Sequence, residues 1–177
     1  WGHSLRVGMS ESYGTVEDLL KHCEMVVFWS SNPESTSGNY ASQEGSIRRQ
    51  WLKELDIDFV HIDPHYNDTA QMLGGKWLAP KPTTDPAMAM AIAYVWITEN
   101  LYDKDYVEKR TGGFDKWKAY ILGDEDGVPK SPEWQADETG IAAKDVRALA
   151  RSWGNKKTYL SAGGAGNGYG GACRNPT

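Results

Sequence analysis

Several polar side chains in this sequence have the chemistry to bind a nucleotide. Ser30, Ser31 and Asn32 follow one another and offer two hydroxyls and an amide, beside backbone N–H donors, to a phosphate or a ribose hydroxyl. Asp63 stands before the rigid Pro64, and its carboxylate can accept a pair of hydrogen bonds from a ribose diol. These residues are therefore candidates for a nucleotide-binding site.

Asp85 is a candidate for recognising a guanine base. A carboxylate only accepts hydrogen bonds, which matches the adjacent ring N–H and amino donors on the edge of guanine. Each assignment has a structural alternative, because Asn-Pro and Asp-Pro pairs initiate turns and aspartate caps helices. Taken alone, the residue types favour Asn32 and Asp63 as turn formers, and they leave Asp85 open between a ligand-binding group and a helix cap that could also bind a ligand through its other oxygen.

Several other kinds of site are disfavoured. His61 and His65 flank Asp63, but Pro64 breaks any helix that would align two histidines four residues apart, so no metal site is expected. A nicotinamide-binding Rossmann site is disfavoured, because the first predicted strand is followed by residues 30–33, which are Ser-Ser-Asn-Pro, rather than by Gly-x-Gly-x-x-Gly. No nucleophile with an adjacent base is recognisable, and no catalytic residue is assigned.

A glycine run at residues 163–171 is a further candidate. Six of the 19 glycines lie within the last fifteen residues, and the run opens with Gly163 and Gly164. The run follows a predicted strand, so the absence of side chains would let backbone amides approach a large ligand closely. A flexible end produced by truncation is the alternative interpretation.

Composition narrows the class of protein. The chain has 177 residues, of which 40% are hydrophobic and 24% are charged. Its net charge is −5, so strong electrostatic binding to nucleic acid is not expected. The longest apolar run, residues 87–97, is shorter than the roughly 20 residues that cross a bilayer, so no membrane span is predicted. Cys23 and Cys173 indicate neither a disulfide framework nor a zinc site.

Because the chain begins at Trp1 rather than Met, we interpret it as a fragment.

Hydrophobic periodicity predicts alternating strands and helices. In the helix predicted at residues 42–55, the apolar positions Ile47, Trp51, Leu52 and Leu55 are expected to cover a sheet. Strands are predicted at residues 25–29, 59–62, 76–79 and 158–161, and further helices at residues 15–22, 67–73, 85–100 and 139–150.

The alternation of these elements predicts an α/β fold with a parallel sheet and helices on both faces, a Rossmann- or flavodoxin-like three-layer arrangement. Asp85 and Pro86 predict the N-cap and first helical residue of one helix. Residues 103–140 are expected to form a small, mainly helical excursion within a single domain, residues 1–177. Ligands of such sheets bind beyond the carboxyl ends of the strands. The loops at residues 30–34, 63–69, 80–85 and 163–171 should therefore form the site.

An ordered set of motifs runs through these loops: Trp29-Ser-Ser-Asn-Pro33, then Ile62-Asp-Pro64 with Thr69, then Trp77-Leu-Ala-Pro80, and finally Thr83-Thr-Asp85 opening an Ala/Met-rich helix. Residues 106–112 and 139–150 continue the series. Taken together, the series resembles the molybdopterin oxidoreductases of the dimethyl sulfoxide reductase family, over nearly the whole chain.

The resemblance implies a domain that binds one of two molybdopterin guanine dinucleotides. It implies that residues 30–33 lie near the diphosphate, Asp63 on the guanosine ribose and Asp85 on the guanine. Many members have glycine where this chain has Ser30. The family's metal-ligating side chain is expected upstream of Trp1, so no metal ligand is assigned. The full set of implied cofactor-binding residues is Trp29, Ser30, Ser31, Asn32, Ile62, Asp63, Pro64, Thr69, Pro82, Asp85, Gly163 and Gly164.

The resemblance also implies the activity of a parent enzyme. Its cofactor would be a bis-molybdopterin guanine dinucleotide carrying molybdenum or tungsten, and the fragment alone is expected to be inactive. The resemblance is strongest to transhydroxylases, which implies hydroxyl transfer on trihydroxybenzenes (pyrogallol to phloroglucinol). Reduction of an S- or N-oxide is the alternative within the family, and a non-enzymatic nucleotide-binding module is the alternative outside it.

The same resemblance implies partners and a compartment. The expected partners are a small phenolic or oxide substrate, an iron–sulfur electron-transfer subunit and the remaining domains of the parent chain. This chain lacks the cysteine spacing for an iron–sulfur cluster of its own. The cytoplasm is the expected compartment, with the periplasm as the alternative.

Overall fold

The structure is a computed structural model that describes residues 16–35 and 42–162. The glycine run with Gly163 and Gly164 lies outside the described residues. The strands are β1 (Met25–Trp29), β2 (Asp58–Ile62), β3 (Lys76–Leu78) and β4 (Thr158–Ala162). The helices are α1 (Val16–His22), α2 (Ser42–Glu54), α3 (Asp68–Leu73), α4 (Asp85–Thr98), α5 (Lys104–Arg110), α6 (Phe114–Leu122), α7 (Pro132–Thr139) and α8 (Ala143–Asn155).

The four described strands form one parallel sheet in the order β3-β2-β1-β4. Their register aligns the carboxyl ends: Trp29 pairs with Ile62 on one side and Ala162 on the other, and Ile62 pairs with Leu78. The loops that follow the strands therefore leave from one edge of the sheet, which we call the carboxyl edge. The predicted parallel α/β fold is confirmed.

Helices cover both faces of the sheet, because alternate residues of a strand point to opposite sides. Met25, Val27 and Trp29 of β1 belong to a first core cluster, which packs against α4 and α8. Val26 and Phe28 belong to a second core cluster. The first cluster also includes Val60, Ile62, Leu78, Met88, Ala91, Ile92, Val95, Ile141, Val146, Leu149 and Ala150. The second also includes Leu52, Ile57, Phe59 and Leu73.

Helix α2 forms where the periodicity predicts it, but the face predicted to be buried is largely wrong. Leu52 is 5% exposed and packs in the second cluster, whereas Ile47, Trp51 and Leu55 are 52%, 45% and 54% exposed. The inward side of α2 also carries Arg49, which is mostly buried and pairs with Glu34 of the loop after β1. The helix therefore meets the rest of the protein through a buried apolar side chain, Leu52, and through this ion pair.

Helix α4 begins one residue earlier than the predicted cap implies. Thr84 is its N-cap and Asp85 its first residue, with Pro86 next, so the prediction of Asp85 as N-cap is wrong. The Thr84 hydroxyl donates to the Lys81 carbonyl at 2.7 Å rather than capping the helix. The Asp85 carboxylate is consequently not used for capping.

The predicted helical excursion is confirmed as helices α5, α6 and α7, of which α6 and α7 pack on α4. Its aromatic residues Phe114 and Trp117, together with Tyr102 just before it, line an apolar cavity of about 420 Å³ against α4. The helix predicted at residues 139–150 begins later, at Ala143, and runs to Asn155, because Thr139 ends α7 and Gly140 follows in the left-handed conformation at φ 78°. None of the helices in residues 16–35 and 42–162 combines the length and apolar character needed to cross a bilayer.

Candidate functional site

The loop after β1 turns sharply at Ser30. Its φ is +48°, in the left-handed region that glycine adopts without cost, and its N–H donates to the Ile62 carbonyl at 2.8 Å. A glycine at this position would give the same turn more easily. The turn keeps the start of the loop against the end of β2, on the carboxyl edge.

Asp85 lies at this turn. The Trp29 indole N–H donates to Asp85 Oδ1 at 2.7 Å, and the Ser30 hydroxyl donates to the same oxygen at 3.4 Å. Among the described residues, no hydrogen bond reaches Asp85 Oδ2. One carboxylate oxygen is therefore anchored by the protein, and the other can accept from a ligand.

Asn32 joins the loop to the start of α3. Its Oδ1 accepts from the hydroxyl and the backbone N–H of Thr69 at 2.8 and 3.2 Å, and its Nδ2 donates to the Ser35 hydroxyl at 2.9 Å. Ser35 and Asn32 both donate to Asp68, which lowers the pKa of that carboxyl. The loop is thus held by polar contacts to α3.

A second polar contact joins the loop to α2. Glu34 accepts from Arg49 Nε at 2.5 Å and from the Ser46 hydroxyl at 2.6 Å, and both partners of the ion pair are mostly buried. The Glu34 N–H donates to the Thr69 hydroxyl at 3.2 Å. Helices α2 and α3 therefore hold the same loop from two directions.

Asp63 shapes the turn after β2. Its Oδ1 accepts from the His65 N–H at 2.8 Å, and its Oδ2 accepts from Asn67 Nδ2 at 3.1 Å. The Trp77 indole N–H donates to the Asp63 carbonyl at 2.8 Å. Asp63 is thus a turn former in the structure. Each carboxylate oxygen has two acceptor positions, so the same group can still accept from a ribose.

The loop between β3 and α4 contains a strained residue. Thr83 is β-branched and has φ +71°, a conformation that costs such a residue energy. The preceding Lys81 donates its N–H to the Thr139 carbonyl at 2.9 Å, which fastens the loop to the end of α7. Pro82, between them, is exposed. Strain of this kind concentrates at ligand sites, and here it directly precedes α4 and Asp85.

The two histidines near Asp63 occupy different environments. His61 is 1% exposed and stacks on Phe28 with 5.2 Å between ring centroids, and burial lowers its pKa. His65 is exposed in the loop. In the part of the chain that the structure describes, no group of three or more His, Cys, Asp or Glu residues is arranged to hold a metal ion.

With this geometry in view, comparison with known proteins identifies the family. Residues 8–165 match the family model described as molybdopterin oxidoreductase. The chain belongs to the molybdopterin oxidoreductase family. The resemblance carried by the ordered motifs is therefore confirmed.

Relatives of known name support the same family. The chain is 56% identical over 174 residues to the pyrogallol hydroxytransferase large subunit of Pelobacter acidigallici, covering 98% of this chain and 20% of that protein. It is 36% identical over 148 residues to the dimethyl sulfoxide/trimethylamine N-oxide reductase of Rhodobacter capsulatus, covering 82% of this chain and 18% of that protein. Acetylene hydratase from Pelobacter acetylenicus matches in structure with a TM-score of 0.63 at 25% identity, over 80% of this chain and 18% of that one. The chain spans about a fifth of the length of these relatives.

In this molybdopterin oxidoreductase chain, some of the predicted site residues have side chains that are buried and therefore inaccessible to a ligand. The Ile62 side chain is fully buried in the first cluster, so only its backbone belongs to the edge. Thr69 is also fully buried, and its hydroxyl holds Asn32. Trp29 is 9% exposed and holds Asp85. Pro64 is exposed in the turn after β2.

Ser161 is a residue of this edge that sequence analysis missed. It lies near the end of β4, and its hydroxyl is 3.1 Å from the Ser31 hydroxyl across the sheet. A polar residue at the carboxyl end of a strand, two positions before the first glycine of the run, was the available signal. The strain at Thr83 had no signal in the sequence, since φ depends on how the loop is fastened.

Proposed function

We propose that this chain, residues 1–177, is the domain of a molybdopterin oxidoreductase that binds one molybdopterin guanine dinucleotide. Family membership supports a molybdopterin cofactor. The guanine form is supported by one observation above all: Asp85 is anchored through Oδ1 and accepts no protein hydrogen bond at Oδ2 among the described residues. An acceptor held in this way suits the N–H donors of guanine.

The chemistry of the donor set fits such a cofactor. Hydroxyls of Ser30 and Ser31, the amide of Asn32 and the N–H groups of their loop suit a diphosphate, in a chain whose net charge of −5 provides no general basic surface. Asp63 suits the ribose. When bound, the cofactor supplies the molybdenum or tungsten at which an oxygen or hydroxyl group is transferred. This chain's own residues bind and orient its nucleotide end, and we include Gly163 and Gly164 as backbone donors.

For the whole protein we propose hydroxyl transfer on trihydroxybenzenes. The 56% identity to a pyrogallol hydroxytransferase large subunit supports this substrate class over an S- or N-oxide, for which the identity is 36%. The words "large subunit" in that relative's name support a second subunit, for which we propose an iron–sulfur electron carrier. The remaining parts of the longer polypeptide would complete the active site.

A titration of the full-length protein, purified without its cofactor, tests the guanine assignment. We expect GDP to bind about tenfold or more tightly than ADP in calorimetry, because a hydrogen bond to a charged group contributes about 1.5–3 kcal/mol. The Asp85→Asn variant should lose this preference, since an amide places donors against the donors of guanine.

Asp56→Asn is the matched control for this titration. Asp56 is exposed in the turn before β2, at the opposite edge of the sheet, and its φ of +54° suits asparagine. The control should keep the guanine preference. Equal binding of GDP and ADP by the unaltered protein would contradict the proposal. If the unaltered protein binds GDP but is isolated from its native source with no molybdopterin cofactor, a non-enzymatic nucleotide-binding module would be favoured instead.

A further inference from the structure

The contact between Trp29 and Asp85 joins two elements far apart in sequence. Trp29 is the last residue of β1 and Asp85 the first of α4, 56 positions later, and the indole N–H donates to Asp85 Oδ1 at 2.7 Å. This is a short, charge-assisted hydrogen bond. The contact of Ser30 with the same oxygen is longer, at 3.4 Å, so the indole is the principal anchor of this carboxylate.

The indole that makes this contact is itself fixed. Trp29 is 9% exposed, and its ring centroid lies 6.5 Å from that of Trp153 on α8. Trp153 in turn meets Trp96 of α4 edge to face at 5.4 Å, and the Trp96 indole donates to the Ala150 carbonyl at 2.7 Å. Three tryptophans thus connect the carboxyl edge to the two helices of the first core cluster. Such packing leaves Trp29 one orientation for its N–H.

A fixed donor on one oxygen also fixes the other. A carboxylate turns about one bond, so the short hydrogen bond from Trp29 to Oδ1 sets the direction of Oδ2 and of the second Oδ1 acceptor position, which the Ser30 hydroxyl contacts at only 3.4 Å. The base edge of guanine presents two neighbouring donors and needs two acceptors side by side. Adenine has one amino donor and no adjacent ring N–H on this edge, so the orientation of the carboxylate affects guanine more than adenine.

We propose that Trp29 is a positioning residue that sets the guanine selectivity of this site by orienting the Asp85 carboxylate before the ligand binds. This inference rests on the proposed function of Asp85. It adds a role for a residue that touches no base, and it attributes part of the selectivity to the packing of α4 and α8 rather than to the loops.

The test is the ratio of GDP to ADP affinity in the full-length protein purified without its cofactor. Trp29→Phe keeps an aromatic ring and removes the N–H donor. We expect GDP affinity to fall roughly two- to tenfold, the range for a side chain that must be immobilised on binding, while ADP affinity stays within about twofold. In the Asp85→Asn background, Trp29→Phe should have no further effect on the ratio, because the group it orients is gone.

Trp51→Phe is the matched control. It makes the same tryptophan-to-phenylalanine change at a side chain that is 45% exposed on α2, the helix whose Leu52 packs in the second core cluster on the other face of the sheet, and it should leave the ratio unchanged. The thermal midpoint of each variant is recorded, and Trp29→Met serves as a second variant without the donor if Trp29→Phe does not fold.

Each outcome decides between the two proposals. Equal losses of GDP and ADP affinity in Trp29→Phe would mean that Trp29 only supports the loop, and an unchanged or higher GDP affinity would mean that it does not orient Asp85. Either result overturns this inference while a guanine-selective wild type still supports the proposed function. A wild type without guanine preference overturns both.

Discussion

The two faces of the sheet support the carboxyl edge in different ways. On the face covered by α4 and α8, the first core cluster is large and apolar, and it fixes Trp29 and through it Asp85. On the other face the second cluster is smaller, and His61 is buried beside Phe28 there. The loop on this side is held by the polar contacts of Asn32 and Glu34.

This difference shows how one edge can combine rigidity with adaptability. Apolar packing is non-directional but dense, so the first cluster fixes a side chain by excluding its alternatives. Hydrogen bonds such as that from Thr69 to Asn32 are directional, and a ligand can replace them with bonds of its own. We therefore expect Asp85, for which we propose guanine binding, to be preformed, and the loop at residues 30–34, for which we propose diphosphate binding, to rearrange when a ligand binds.

The largest expected effect is in the first cluster. Met88 of α4 is fully buried, and we expect Met88→Ala to lower the free energy of unfolding by about 2–5 kcal/mol, because it removes buried area and leaves a cavity. Chemical denaturation measures this loss. Leu52→Ala, at the margin of the second cluster, should fall at the lower end of the same range.

Met90→Ala is the control on the same helix. Met90 is only partly buried, so the loss should stay below about 1 kcal/mol. Should Leu52→Ala destabilise the protein more than Met88→Ala, the second cluster would be the dominant one and the comparison of the two faces would fail.

A change in pH is expected to have an intermediate effect on the free energy of unfolding, through the protonation of His61. Its Nε2–H donates to the Gly74 carbonyl at 2.8 Å, and Nδ1 has no partner among the described residues. Burial lowers the pKa of His61, although Gly74 and Asp63 partly oppose this. The unfolded chain therefore takes up a proton below about pH 6.5 that the folded protein resists.

Stability should consequently fall as the pH drops below 6.5, by at most about 1.4 kcal/mol per pH unit for one proton. Denaturation at pH 7.5, 6.5 and 5.5 measures the slope, which is separate from carboxyl effects at lower pH. His65→Asn, which removes an exposed imidazole, should keep the slope, and His61→Gln should remove it. A wild-type stability that does not change over this interval contradicts the prediction.

The smallest expected effect is on the outer side of α2. Trp51 is 45% exposed, so Trp51→Ser should change the free energy of unfolding by no more than about 0.5 kcal/mol. Leu52→Ala, one position along, is the contrasting variant. A loss above about 1 kcal/mol for Trp51→Ser would show that this side chain is buried in the folded protein.

The strands could be predicted closely because each is a short apolar run. All five residues of β1 are buried, as the continuous run from Met25 to Trp29 indicated, and turn residues bound it. Parallel pairing followed from the helices between strands. The predicted loops at residues 30–34, 63–69 and 80–85 therefore lie at one edge, and Asp85 contacts both Trp29 and Ser30.

The orientation of individual side chains could not be predicted in the same way. The periodicity of α2 specifies an apolar stripe but not which neighbour it meets, and only Leu52 of that stripe is buried, beside the Arg49–Glu34 ion pair. The choice of Thr84 over Asp85 as N-cap depended on how Lys81 fastens the loop to α7. Such outcomes are set by contacts between residues distant in the sequence.

The sequence by itself determined the order of strands and helices, the edge of the sheet at which the candidate ligand-binding side chains lie, and the family, because local hydrophobic patterns and ordered motifs carry that information. Only the tertiary structure decided that Trp29 holds Asp85, that Ser30 and Thr83 adopt left-handed conformations, and that His61 is buried without a partner for Nδ1. The physical reason is that a hydrogen bond or a strained dihedral depends on where the packed core brings distant segments together, which no local pattern records.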